Sequence, residues 1–138
     1  MPIVTEIKVQ GCWRDVNRMG VPPYMGVYFV YAGSYNLSTN LVSLRQLLYV
    51  GQSANANERL RDHEGRPRWE LLLRTGEELI YAFAAVLSAY LDDVEAALIF
   101  RLQPPCNDSL KEAYCKRPLQ LSVSAHPAYG LPAMVELP

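Results

Sequence analysis

Two short stretches place a tyrosine two residues from a glycine in mirrored order: Gly26-Val27-Tyr28 and Tyr49-Val50-Gly51. Side chains alternate along a strand, so Tyr28 shares a face with Gly26 and Val30, and Tyr49 shares one with Leu47 and Gly51. Antiparallel pairing then puts both phenols on one face, and a small residue beside a polar aromatic lets a ligand approach the backbone. The other reading is tyrosines packed in a sheet, with the glycines marking strand ends. Arg59 and His63 are four apart, which puts them on one face of a helix with about 6 Å between Cβ atoms. The guanidinium is permanently charged and suits an anion, and the imidazole titrates near neutrality. Glu95 follows Asp92 at the spacing of a capping box, where an acid also suits the helix dipole. Asn107 comes after Pro104-Pro105, an ordinary setting for a turn residue.

Several elements are needed to hold these residues. The run "IVTEIKV" from Ile3 alternates like a short strand, and "GCWRDVNRMGVPP" is rich in turn formers and reads as a loop. Strands over 26–32 and 46–52 are joined by "GSYNLSTNLVSLR", which is long for a hairpin connection. Asn55 with Glu58 predicts a helix start, ending before Gly65; "RWELLLRTG" adds a helical turn or two closed by Gly76. "ELIYAFAAV" reads as a third strand. "DDVEAALIFRLQ" reads as a second helix, capped by Asp92, with Val94, Leu98 and Leu102 on one stripe, and stopped by Pro104 and Pro105. "LQLSVSA" and "LPAMVEL" predict a terminal hairpin. The expectation is an α+β fold with a small antiparallel sheet, a three-stranded core flanked by helices. In this single domain of residues 1–138, a module over 22–110 carries strand-like extensions at 1–21 and 111–138.

With 138 residues, 50% hydrophobic and 20% charged, the chain has the composition of a globular domain. Thirteen basic against fourteen acidic residues leave a net charge of −1. That opposes extensive phosphate binding unless the basic residues cluster. Three cysteines without a CxxC spacing and only two histidines argue against a zinc site. No apolar run reaches ~18 residues and the first residues lack a signal-peptide core, so the expected setting is cytoplasmic, with no membrane partner.

Taken in order, Gly-x-Tyr, Tyr-x-Gly, Arg-x-x-x-His, Glu and an asparagine after Pro-Pro resemble the GIY-YIG nuclease superfamily, over residues 26 to about 108. "GVY" stands for the first motif and "YVGQS" for the second. Arg59 in "ERLRDH" matches the helix arginine, Glu95 in "VEAALI" the metal-binding carboxylate, and Asn107 in "PPCND" the asparagine that closes the module. The chain departs from the common pattern in the long connection between the tyrosine motifs and in having no separate DNA-binding domain.

The resemblance implies a divalent-metal-dependent endonuclease that hydrolyses phosphodiester bonds, in DNA more than in RNA. Glu95 would bind one metal, Mg²⁺ by default, with Mn²⁺ fitting the same oxygen site. Tyr28 would be the general base, favoured as phenolate by Arg59 and a metal, with His63 as a rival base. Tyr49 would position water or phosphate, and Asn107 would back the site or touch the phosphate. Gly26, Gly51, Gln52 and Ser53 are expected to lie along the substrate. Arg66 and Arg68 could add a basic edge beside Trp69, although Trp69 reads first as core. The rival readings are a non-catalytic nucleic-acid- or protein-binding scaffold, and a nuclease subunit that docks a partner or a second copy through its terminal strands.

Overall fold

The computed structural model describes residues 2–138. Its centre is β3 (Gly26–Asn36), a run of aromatic and β-branched residues buried continuously from Gly26 to Gly33. Such a run needs cover on both faces. Val27, Phe29 and Tyr31 face one apolar cluster, while Tyr28, Val30 and Ala32 face another. β3 lies antiparallel between β4 (Leu41–Ser53) and β5 (Glu78–Ala85). The fourth strand, β2 (Gln10–Arg14), pairs with β5, so the sheet order is β2-β5-β3-β4. This stretch was expected to be a loop, and the sheet therefore draws a strand from before residue 22. Turn-forming residues mask β2 in the sequence, because only the partner β5 makes it extended. A turn of 3₁₀ helix over Asp15–Gly20 follows it.

The long connection between the tyrosine segments is mostly strand. β3 and β4 extend to a four-residue turn at 37–40, where Asn36 Oδ1 accepts from the Ser38 and Thr39 N–H groups. β1 (Ile3–Lys8), β6 (Leu119–Ser124) and β7 (Met134–Leu137) form a second sheet, with β1 parallel to β6 and β7 antiparallel to it. The terminal hairpin is present, and the two extensions meet to build one sheet. Helix α3 (Leu91–Leu102) and the second sheet share the cluster of Val27, Phe29, Ile80 and Ala82. The short helices α1 (Ala56–Arg61) and α2 (Arg66–Glu70) cover the opposite face, where Ala56, Leu60 and Trp69 meet Tyr28, Val30 and Tyr81. The observed fold is α+β, with a four-stranded sheet in place of the expected three. Among the described residues no helix is long and apolar enough to cross a membrane.

Candidate functional site

The register places Tyr28 opposite Gly51 and Val30 opposite Tyr49. Both phenols thus project from the face that α1 and α2 cover. Leu48 has no partner between Tyr49 and Leu47, which is a bulge. It breaks the alternation, so Leu47 packs with the opposite cluster instead of beside Tyr49. The two rings lie 6.2 Å apart at 29°. Gly51 is what permits this: a Cβ there would sit 2.4 Å from Tyr28 Cζ and its hydroxyl oxygen. At Gly26 a Cβ would meet the Ala84 carbonyl oxygen at 2.1 Å. The expectation that these glycines leave room for a ligand is corrected. The space is filled by the Tyr28 ring at one position and by the neighbouring strand at the other.

α1 begins as the sequence predicts, with the Asn55 side chain accepting from Glu58 N at 3.1 Å. It ends at Arg61, before His63, so Arg59 and His63 do not share a continuous helix face. His63 is buried and reaches Tyr28, with its Nε2 2.9 Å from the phenol oxygen. Its Nδ1 accepts from Gly65 N–H at 2.8 Å. A backbone N–H can only donate, so the neutral imidazole carries its proton on Nε2 and donates to Tyr28. Burial and the Arg59 charge lower the His63 pKa to about 4, which keeps the ring neutral at pH 7. With both nitrogens engaged in this way, His63 is no free base. Trp69, 1% exposed, closes the group with its ring centroid 4.5 Å from His63 and 5.2 Å from Tyr49.

Burial pushes the Tyr28 phenol well above its ordinary value. The positive charge of Arg59 draws it down, but not enough to offset burial, and Glu95 and Glu64 push it up. The expected net lowering is therefore reversed in the protein alone. Tyr49, half-buried, is raised by burial and by Glu95, and lowered by Arg59. Arg59 itself forks onto Glu64, with its Nη1 and Nη2 at 2.6 and 2.5 Å from the two carboxylate oxygens.

Glu95 projects from α3 toward the end of β4, where Gln52 Nε2 donates to Glu95 Oε1 at 3.0 Å and to Asp92 Oδ1 at 2.7 Å. Asp92 is not the helix cap: α3 starts at Leu91 behind Tyr90, without a side-chain cap. The carboxylate is drawn to Gln52 instead. Burial raises the Glu95 pKa, and the Gln52 hydrogen bond partly counters it. Two carboxylates converging on one amide nitrogen form an oxygen-donor set that suits a hard divalent cation retaining its waters. Among the described residues no cluster of three or more His, Cys, Asp or Glu side chains is placed to hold a metal.

Asn107 is buried, and its amide spans the outer edge of β4: Oδ1 accepts from Val50 N at 3.0 Å and Nδ2 donates to Val50 O at 2.9 Å. Cys106 N adds a bond to Leu48 O at 2.9 Å. Both amide atoms are engaged on Val50, so Asn107 fixes the strand beside Tyr49. Ser53 is also turned inward, with its hydroxyl tied to the backbone of Asn55. Arg66 is held by Asp15 at 2.7 and 2.5 Å, and Arg68 by Asp108 at 2.7 Å. With Trp69 buried, the expected basic, base-stacking edge does not form. The sequence reading missed Gln52 as a bridge between acids, and it missed Asp92 and Glu64 as site residues. Asp92 was hidden by its capping-box spacing, and Glu64 by lying past the end of α1.

No family model, curated protein or solved structure matches the chain. What the site can do follows from its own chemistry. It combines a buried phenol that accepts a hydrogen bond, a second phenol, a guanidinium paired with Glu64, and a half-buried carboxylate at the rim.

Proposed function

We propose that the protein is a divalent-metal-dependent endonuclease of the GIY-YIG type, hydrolysing phosphodiester bonds, most naturally in DNA. The observation that carries this reading is the His63 Nε2–H donated to the Tyr28 oxygen, with Arg59 and Glu95 acting electrostatically on the same phenol. The Tyr28 oxygen is given a proton donor, and the Tyr28 hydroxyl in turn acts on Tyr49. A donor aimed at the oxygen favours the phenolate over the phenol.

On this reading Tyr28 first loses its proton to solvent, His63 Nε2–H stabilises the phenolate, and the phenolate then takes the proton of the attacking water and becomes neutral. Tyr49 orients the water or the phosphate through its hydroxyl. Arg59 donates to the non-bridging oxygens and compensates their charge. Glu95, with Asp92 and Gln52 beside it, would hold one Mg²⁺ or Mn²⁺, which supplies charge compensation at the phosphoryl and leaving oxygens. Since burial holds the Tyr28 pKa high, cleavage should accelerate with alkalinity. A rate flat between about pH 6 and about pH 9 would remove phenol ionisation from the rate-limiting step.

A second reading is a binding scaffold, or a nuclease subunit that relies on a protein partner or a second copy for its substrate. It is favoured by charge: Arg14, Arg18, Arg45, Arg59, Arg66, Arg68 and Arg117 all pair with carboxylates. Among the described residues that engages seven of the thirteen basic side chains and leaves six to track a phosphate backbone. β1 and β7 are edge strands of the second sheet and offer places for such a partner. Incubating the protein with plasmid, branched and single-stranded DNA and RNA, with Mg²⁺, Mn²⁺ or EDTA, separates the two readings.

A further inference from the structure

Arg59 is engaged before any substrate arrives. Its two terminal nitrogens hold both oxygens of Glu64, the bidentate fork that a guanidinium forms with carboxylate and phosphate alike. This is not a helix-surface pair at the usual spacing, since α1 ends at Arg61 and Glu64 lies five residues beyond Arg59. The link that carries Glu64 is pinned on both sides. His63 is buried against Tyr28, and the Gly65 N–H is bonded to the His63 ring. The backbone thus delivers the carboxylate to Arg59, while its side chain remains 75% exposed. Besides Arg59, the carboxylate meets the Glu64 backbone N–H. Its charge also acts on both phenols, opposing the ionisation that Arg59 favours.

We infer that Glu64 is a built-in substitute for the substrate phosphate, occupying the anion position on Arg59 until a nucleic-acid phosphate displaces it. The inference rests on reading Arg59 as the phosphate contact. Exposed ion pairs contribute little, so the carboxylate selects rather than blocks. A strand making several contacts displaces it, and a weakly held one does not.

The test compares Glu64→Gln with Glu58→Gln, which removes the same charge from an exposed residue of α1 that forms no ion pair among the described residues. Binding of a labelled single-stranded oligodeoxynucleotide, and of a duplex of the same sequence, is titrated in EDTA at several salt concentrations. The expected result is binding about fivefold tighter for Glu64→Gln, the size that release of one exposed ion pair permits. The slope of log affinity against log salt should steepen by about 0.9 on the duplex, the value of one further phosphate contact. In an Arg59→Gln background the gain should vanish. Tightening no greater than that of Glu58→Gln overturns the inference. So does weaker binding, which would make Glu64 a support for Arg59, and so does absence of binding by every variant. Cleavage is scored separately. Tighter binding without Mg²⁺-dependent cutting keeps Glu64 in this role and removes the nuclease reading.

Discussion

Tyr28 and Tyr31 lie three residues apart on β3, point to opposite faces, and are both buried with raised pKa values. Their hydroxyls are used differently. Tyr31 donates to the Tyr129 carbonyl at 2.8 Å and packs against the Tyr129 ring, fastening the C-terminal segment to the sheet. Tyr28 meets a nitrogen that must itself donate, beside an arginine and two glutamates. A tyrosine that donates to a backbone carbonyl serves the fold. One that accepts from a buried donor has its charged form favoured by that bond, against the burial that raises its pKa. Burial alone does not separate the two; the direction of the hydrogen bond does.

The comparison is broken most sharply by removing each hydroxyl. Tyr28→Phe should lower turnover by about 10²–10⁴-fold, the range for a general base, while nucleic-acid binding persists. Loss of only a few-fold would return Tyr28 to the structural class. Asn107→Ala comes next. It leaves the Val50 N–H and C=O without partners at about 1–3 kcal/mol each, so chemical denaturation should show a clearly lower midpoint. An unchanged midpoint would mean that water replaces the amide. Gly51→Ala should cost about 1–3 kcal/mol and displace the Tyr28 ring, lowering turnover and stability together. Tyr31→Phe should cost about 1 kcal/mol with turnover unchanged. If it instead abolishes cleavage, the two faces are coupled through β3.

The smallest effect at neutral pH concerns His63. Its folded pKa of about 4 lies below the ordinary 6.5, so the unfolded chain takes up the proton first as pH falls. The stability from the neutral ring is intact above about 6.5, declines as pH drops toward about 4, and is gone below it. His63→Gln should flatten that part of the stability–pH curve. An unaltered curve would show that the ring titrates normally.

The site was legible in its residue types more than in its geometry. Tyr28, Tyr49, Arg59, His63 and Glu95 come into one region, and Asn55 starts its helix where the sequence places it. What escaped depended on tertiary contact. β2 is extended only because β5 is beside it, and its Gly, Asn and Pro neighbours point to a loop. The bulge at Leu48 moves Leu47 to the other face, which strict alternation cannot foresee. The role of Gly51 was inverted because a glycine announces missing volume without saying what fills it. Nothing near Arg66 or Arg68 in the sequence announces the acids they pair with, Asp15, 51 residues from Arg66, and Asp108, 40 residues from Arg68.

The most direct test is cleavage at low salt of supercoiled plasmid, branched DNA, single-stranded DNA and RNA. Each is incubated with Mg²⁺, Mn²⁺ or EDTA, using the intact protein and Glu95→Ala in parallel. The account predicts cutting that requires the metal and disappears in the variant. Equal cutting by a clean Glu95→Ala preparation, or no cutting of any substrate by the intact protein, would contradict it.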